Sequence, residues 1–204
     1  TSLLLTATTF ALSSALKPYG ESRFNRHRGE HHLSKPAPKL HVNEAFDRDG
    51  NLRRTTLEAN NPQGLCSDDK TISGYFNADG NHKYFYWFFE ASTVTPDDAP
   101  TIMWLTGGPG CSSMMALVVE NGPCFVNDAA TDTYPSQTSW NQKANVIWVD
   151  QPPGTGFSTG VPDTNEDEIS EDMIQFLLNF MAAYPQYFKN GFFIFGESYA
   201  GHYI

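Results

Sequence analysis

Phe192-Phe193-Ile194-Phe195-Gly196-Glu197-Ser198-Tyr199-Ala200-Gly201 is the stretch on which the reading of this chain turns. Four apolar residues in a row, introduced by the turn pair Asn190-Gly191, predict a short buried strand. A serine follows within three residues, flanked by Gly196 and Ala200, and a plausible helix comes next. A serine on a strained strand-to-helix turn projects its hydroxyl clear of the sheet, where a substrate can reach it. The flanking positions must be small because the backbone crowds there. The motif resembles G-x-S-x-G with Ala200 in place of the final glycine. Taken alone, it also fits a tight βα turn carrying an ordinary surface serine.

Upstream lies the clearest helix. Ile169, Met173, Phe176, Leu177 and Phe180 recur at i, i+4, i+7, i+8 and i+11, which makes one apolar face. Glu166, Asp167 and Glu168 stand at its start, where acids favour the helix dipole, and Pro185 stops it. Before the helix, Val146 to Val149 predicts a strand that ends at Asp150 and the loop Gln151-Pro152-Pro153-Gly154-Thr155-Gly156. Thr101 to Leu105 predicts another. Earlier still, Ile72 to Phe76 and Tyr84 to Glu90 read as a hairpin about a turn at residues 77–81. Hairpin, strand, long connection, strand, helix, strand is the wiring of an α/β protein. Its sheet is expected to be mostly parallel with an antiparallel start.

A second motif follows the strand at Thr101. Trp104-Leu105-Thr106-Gly107-Gly108-Pro109-Gly110-Cys111-Ser112-Ser113 is a glycine-rich loop. Acyl transfer needs two backbone N–H groups aimed at the developing oxyanion. One comes from the residue after the nucleophile, here Tyr199, and the other from a glycine-rich loop earlier in the sheet. Gly107-Gly108 suits that task. A phosphate-cradling loop is the rival reading and is weaker, because Pro109 removes a donor and neither GxGxxG nor GK[ST] is present.

WLTGGPGCSS, Glu120-Asn121-Gly122-Pro123, VDQPPGTGFS and GESYAGHY, in this order, resemble the serine carboxypeptidase family over about residues 66–204. The resemblance implies an α/β-hydrolase fold and removal of C-terminal residues from peptides and proteins. It implies Ser198 as the catalytic nucleophile, with Gly108 and Tyr199 as oxyanion donors. By the same motif matching, Trp104, Thr106, Gly107, Glu120 and Glu197 would bind the carboxylate of the substrate. Two glutamates can do this if one is protonated, since like charges held close raise a carboxyl pKa and a neutral acid donates a hydrogen bond. Activity of this kind is expected to favour acid pH. Thr106 departs from the Asn that many members carry there; its hydroxyl can donate but is shorter. An acyltransferase of the same family, or a non-catalytic peptide-binding homologue, is the alternative. The triad Asp and His should follow Ser198 in chain order, beyond Ile204. His202, four residues past the serine, and His82, in the hairpin, are poor candidates for the base. The remaining strands of the sheet would also lie downstream, and this piece alone is expected to be inactive.

Charge divides the chain. Residues 16–60 hold nine Lys or Arg against six Asp or Glu, a net +3, and residues 61–204 hold four against seventeen, a net −13. The expected organisation is a signal-peptide remnant over residues 1–16, a polar leader or pro-segment over 17–61, and the N-terminal part of the hydrolase domain over 62–204. A ragged apolar terminus or a mitochondrial leader is the alternative for residues 1–16. The segment Lys17 to Asn61, with Pro18, Pro36 and Pro38, is expected to hold little stable structure, and the basic stretch 17–60 to be a removable pro-segment that docks on the acidic body, a plain disordered leader being the alternative. The signal implies the secretory pathway, ending in a vacuole or lysosome or outside the cell. Cys66, Cys111 and Cys124 are an odd number, so at least one must pair elsewhere or stay free. Their spacing suggests no zinc site, and no cofactor is expected. The acidic body argues against nucleic acid, and no membrane anchor is expected. The expected partner is a peptide or protein C-terminus as substrate, with a homodimer left open.

Overall fold

The structure, a computed structural model, describes residues 39–46, 52–60, 66, 70–78 and 81–204. These form strands β1 (Lys39–Phe46), β2 (Leu52–Asn60), β3 (Thr71–Asn77), β4 (Lys83–Phe89), β5 (Thr101–Leu105), β6 (Cys124–Val126), β7 (Thr133–Pro135), β8 (Asn145–Val149) and β9 (Phe192–Gly196). The helices are α1 (Ser113–Val119), α2 (Glu166–Ala183) and α3 (Ala200–Tyr203). Seven strands make one sheet in the order β1-β2-β3-β4-β8-β5-β9, and β6 and β7 form a separate pair. Pairing is antiparallel from β1 through β4 to β8, then parallel for β8–β5 and β5–β9. Among the described residues no helix is long and apolar enough to cross a membrane.

Continuous apolar runs in β4, β5 and β8 follow from cover on both faces of the sheet. Side chains alternate across a strand. Tyr84, Tyr86 and Phe88 of β4, Met103 and Leu105 of β5, and Ile147 and Val149 of β8 therefore share one face. There they pack against Met173, Phe176 and Phe180 of α2. Phe89, Trp104, Val146 and Trp148 share the other, against Met114, Ala116 and Leu117 of α1. The α2 face is rich in aromatic rings: that of Phe76 lies 5.2 Å from Tyr86 and 6.0 Å from Phe176.

Helix α2 begins where its acids predict. Asn165 caps it by accepting a hydrogen bond from Glu168 N at 3.0 Å, and Glu166, Asp167 and Glu168 fill the first turn. Pro185 opens a 3₁₀ turn immediately after its end. Across the other face, a disulfide joins Cys66 to Cys124 over a sequence separation of 58 residues. Closing a loop of that length in the unfolded chain is worth about 4 kcal/mol. Cys111 is exposed and unbridged, in agreement with the odd count.

One expectation is corrected. Residues 39–46 and 52–60, expected to hold little stable structure, form the antiparallel pair β1–β2, with Lys39 opposite Ala59 and Phe46 opposite Leu52. β2 then joins the sheet through Glu58, Ala59 and Asn60, which stand opposite Tyr75, Gly74 and Ser73. A free sheet edge supplies backbone partners to a polar segment without requiring the sustained apolar pattern of a core strand. The long connection between β5 and β8 has elements of its own, α1 and the β6–β7 pair. The expected signal segment, residues 1–16, lies outside the described residues, as do residues 17–38.

Candidate active site at the carboxyl edge of the sheet

β5 and β9 run in parallel register with Leu105 opposite Gly196, so both strands end at the same edge and release their loops side by side. In open α/β sheets this edge is where ligands bind. At the end of β9 the chain turns so sharply that Ser198 takes φ +57°, in the left-handed region that a side chain with a Cβ enters at a cost. Ser198 is exposed. The turn is held by the amide of Ala200 donating to the carbonyl of Glu197 at 3.0 Å. Small flanks are needed as the sequence suggests: a Cβ on Gly196 would stand 2.6 Å from that of Ala200. Gly201, by contrast, has open space around it.

The glycine-rich loop lies against this turn. A Cβ on Gly107 would come within 2.5 Å of Tyr199 N and 2.6 Å of Glu197 O, so only glycine fits. Gly108 takes φ +113°. The loop is braced from behind by Asp150 at the end of β8. Its Oδ1 accepts from Ser112 Oγ at 2.6 Å and Ser113 N at 2.9 Å, and its Oδ2 from Phe157 N at 2.9 Å. Burial pushes the Asp150 carboxyl up, and these hydrogen bonds work against that rise. Asp150 thus ties the loop after β8 to the start of α1, a role that its place in VDQPPGTGFS did not disclose.

Trp104 and Thr106 also meet. The indole Nε1 donates to Thr106 Oγ1 at 3.0 Å, and Thr106 N donates to Ser113 Oγ at 3.1 Å. Because Thr106 Oγ1 accepts from the indole, its own proton stays available to a ligand. Glu120 caps the C-terminal end of α1. Its carboxyl is held above the ordinary range, first by partial burial, then by the charge of Glu197 and by the hydrogen bond the two side chains share. The turn that follows allows no side chain at Gly122, where a Cβ would fall 1.9 Å from Leu117 O. Asn121 is buried, accepting from Trp148 Nε1 at 2.9 Å.

Ser198, Tyr199, Gly107, Glu197 and Glu120 are therefore brought to one edge of the sheet. The neighbouring histidines are engaged elsewhere. The His202 ring lies against that of Tyr199, 4.7 Å between centroids. His82 Nδ1 lies 2.7 Å from Asp172. One partner was not legible in the sequence: Tyr199 Oη donates to Glu166 Oε1 in the first turn of α2, across 33 positions of sequence. That bond holds the Glu166 carboxyl below its usual range.

The family model described as serine carboxypeptidase matches residues 62–204. The chain belongs to the serine carboxypeptidase family. Among curated serine carboxypeptidases, a Dictyostelium discoideum protein named serine carboxypeptidase S10 family member 1 is 51% identical over 139 residues, 65% of this chain and 33% of the relative. Carboxypeptidase Y of Schizosaccharomyces pombe is 36% identical over 218 residues, 98% of this chain and 22% of the relative. Among solved structures, a prohormone-processing carboxypeptidase from Saccharomyces cerevisiae superposes with a TM-score of 0.60 at 31% identity, covering 66% of this chain and 32% of the other. The chain thus spans a third or less of the length of these relatives.

Proposed function

We propose that the full-length protein is a serine-type carboxypeptidase that hydrolyses the C-terminal bond of peptides. The observation that carries this is the exposed Ser198 at φ +57°, with Gly107 seated against the Tyr199 amide. In this reading Ser198 Oγ attacks the scissile carbonyl. The N–H groups of Tyr199 and Gly108 receive the negative charge that develops on the carbonyl oxygen. The triad Asp and His are supplied from beyond Ile204.

Selection of the chain end falls to the acids. The Glu120 carboxyl, kept neutral to higher pH by Glu197 beside it, turns its one proton to the substrate carboxylate, while Trp104, Thr106 and Gly107 shape the site around it. The nucleophile, its triad and the oxyanion donors act on any acyl group, so the acid pair is what favours a free C-terminus over an ester. The disulfide between Cys66 and Cys124 supports an oxidising compartment, in keeping with the secretory pathway.

Labelling the full-length protein with a fluorophosphonate, followed by peptide mapping, tests the nucleophile. The adduct is expected on Ser198. An adduct on another residue, or an active enzyme that takes none, overturns the assignment. An enzyme that is labelled at Ser198 but transfers acyl groups from esters and leaves peptides intact is the acyltransferase.

A further inference from the structure

A second cluster of ionisable groups sits where the β3–β4 turn meets the start of α2. His82 Nδ1 lies 2.7 Å from Asp172 Oδ2 and 3.8 Å from Asp163 Oδ1. Each of the three side chains offers a ligand atom, and these atoms lie within 4.8 Å of one another. Sequence spacing does not reveal the cluster because His82 and Asp172 are 90 residues apart. Gly160 makes the approach feasible, since a Cβ there would fall 2.4 Å from His82 Cδ2.

Two carboxylates face one imidazole nitrogen. Their side chains are only 4% exposed for Asp163 and 3% for Asp172. Nδ1 lies within hydrogen-bond distance of Asp172 alone. Asp163 is left short, with its Oδ2 buried and without a hydrogen-bond partner. A buried carboxylate oxygen in that position bears its desolvation cost without compensation. Beside them opens a cavity of about 320 Å³, lined by all three residues and by Glu168 and Glu171. It has room for several waters, each needing on the order of 10–15 Å³.

We propose that His82, Asp163 and Asp172 form a binding site for one divalent cation of the Zn²⁺ class, completed by water from the adjoining cavity. One imidazole nitrogen with two carboxylate oxygens is a donor set that Zn²⁺ accepts, with an open position for water. Ca²⁺ takes about six to eight oxygen ligands and suits it less. Ligands about 2.0–2.2 Å from a tetrahedral Zn²⁺ stand roughly 3.3–3.6 Å apart. The 2.7 and 3.8 Å separations from His82 bracket that spacing, and all three ligand atoms lie within 4.8 Å of one another. The cation binds the Nδ1 lone pair of the neutral imidazole, whose remaining proton sits on Nε2, and gives Asp163 the partner it lacks. It joins the β3–β4 turn to α2, so its effect is on stability.

The test uses the full-length protein, stripped with a chelator and titrated with Zn²⁺ by calorimetry. Co²⁺ is added in parallel as a probe of visible absorption. The expected result is one Zn²⁺ per chain, a rise in Tm, and a Co²⁺ band that Zn²⁺ abolishes. Asp163→Asn and His82→Gln should each weaken binding by more than the roughly 10- to 100-fold lost with a mere supporting residue, while Cys111→Ser leaves it intact. Fluorophosphonate labelling of the two cluster variants reports that they are folded, and if one fails to fold the other decides. No Zn²⁺ binding, binding of Ca²⁺ alone, or stoichiometric Zn²⁺ binding that survives both variants overturns the proposal.

Discussion

The face of the sheet under α2 and the edge where β5, β8 and β9 end share the same strands and obey opposite rules. Under α2, Phe76, Tyr86, Phe88, Met103 and Phe176 are fully buried, and their rings meet at ordinary aromatic distances. Stability there comes from apolar area and close packing, which tolerate exchange among residues of similar volume. At the edge, the backbone itself is the active material. Ser198 is held at positive φ, Gly107 leaves no room for a Cβ beside the Tyr199 amide, and acids are pressed together. No alternative side chain fits at Gly107, and little apolar area is gained. One region holds the other in a conformation it would not adopt alone.

Substitutions in the two regions should separate these roles. The largest effect is expected for Ser198→Ala. Peptide turnover should fall by several orders of magnitude, leaving roughly 10³–10⁴-fold over water, with thermal unfolding little changed. Loss of fold together with loss of activity would show that the edge is structural. Phe176→Ala should cost about 3–5 kcal/mol of stability, read from denaturant unfolding. At temperatures where the variant remains folded, its kcat should stay near wild type. Gly107→Ala forces the loop off the elbow by pushing against Tyr199 N. A misplaced oxyanion donor is worth about 10²–10³ in kcat, and a variant with unchanged kcat would separate this loop from catalysis.

Much of this was readable from the chain. α2 starts at Glu166 and stops before Pro185 as its acids, apolar stripe and proline require. β5 and β9 were legible because a short apolar run leading into a glycine turn has few other uses, but β9, expected to be buried, is the edge strand and leaves Phe193 and Phe195 exposed. α1 was not, because Ser113–Val119 is too short for a period to stand out after a glycine-rich loop. β1 and β2 carry many polar residues and derive their order from pairing with neighbours, which no local pattern encodes. At the site, the serine, the glycines and both acids were visible because turn chemistry and motif order mark them. The Asp150 brace, the Tyr199–Glu166 bond and the His82 cluster were hidden, since each joins segments that only the fold brings together.

The central claim is that the acid pair at the edge reads a free C-terminus. Glu120 is raised from its ordinary value, so its neutral form persists to higher pH than that of a free glutamate. In the proposed reading it is the neutral form that binds the substrate carboxylate. Affinity should therefore be full below the raised pKa and fall as pH rises through it, when Glu120 becomes an anion facing the substrate carboxylate. Losing one charge-assisted hydrogen bond costs about 1.5–3 kcal/mol, or roughly ten- to a hundred-fold or slightly more in binding. The most direct measurement is kcat/KM against pH in the full-length protein, for a peptide and for the same peptide with a C-terminal amide, in wild type and in Glu120→Gln. The account predicts an alkaline loss for the free peptide that the amide does not share, and a weaker loss in Glu120→Gln. Identical wild-type profiles for peptide and amide would contradict it.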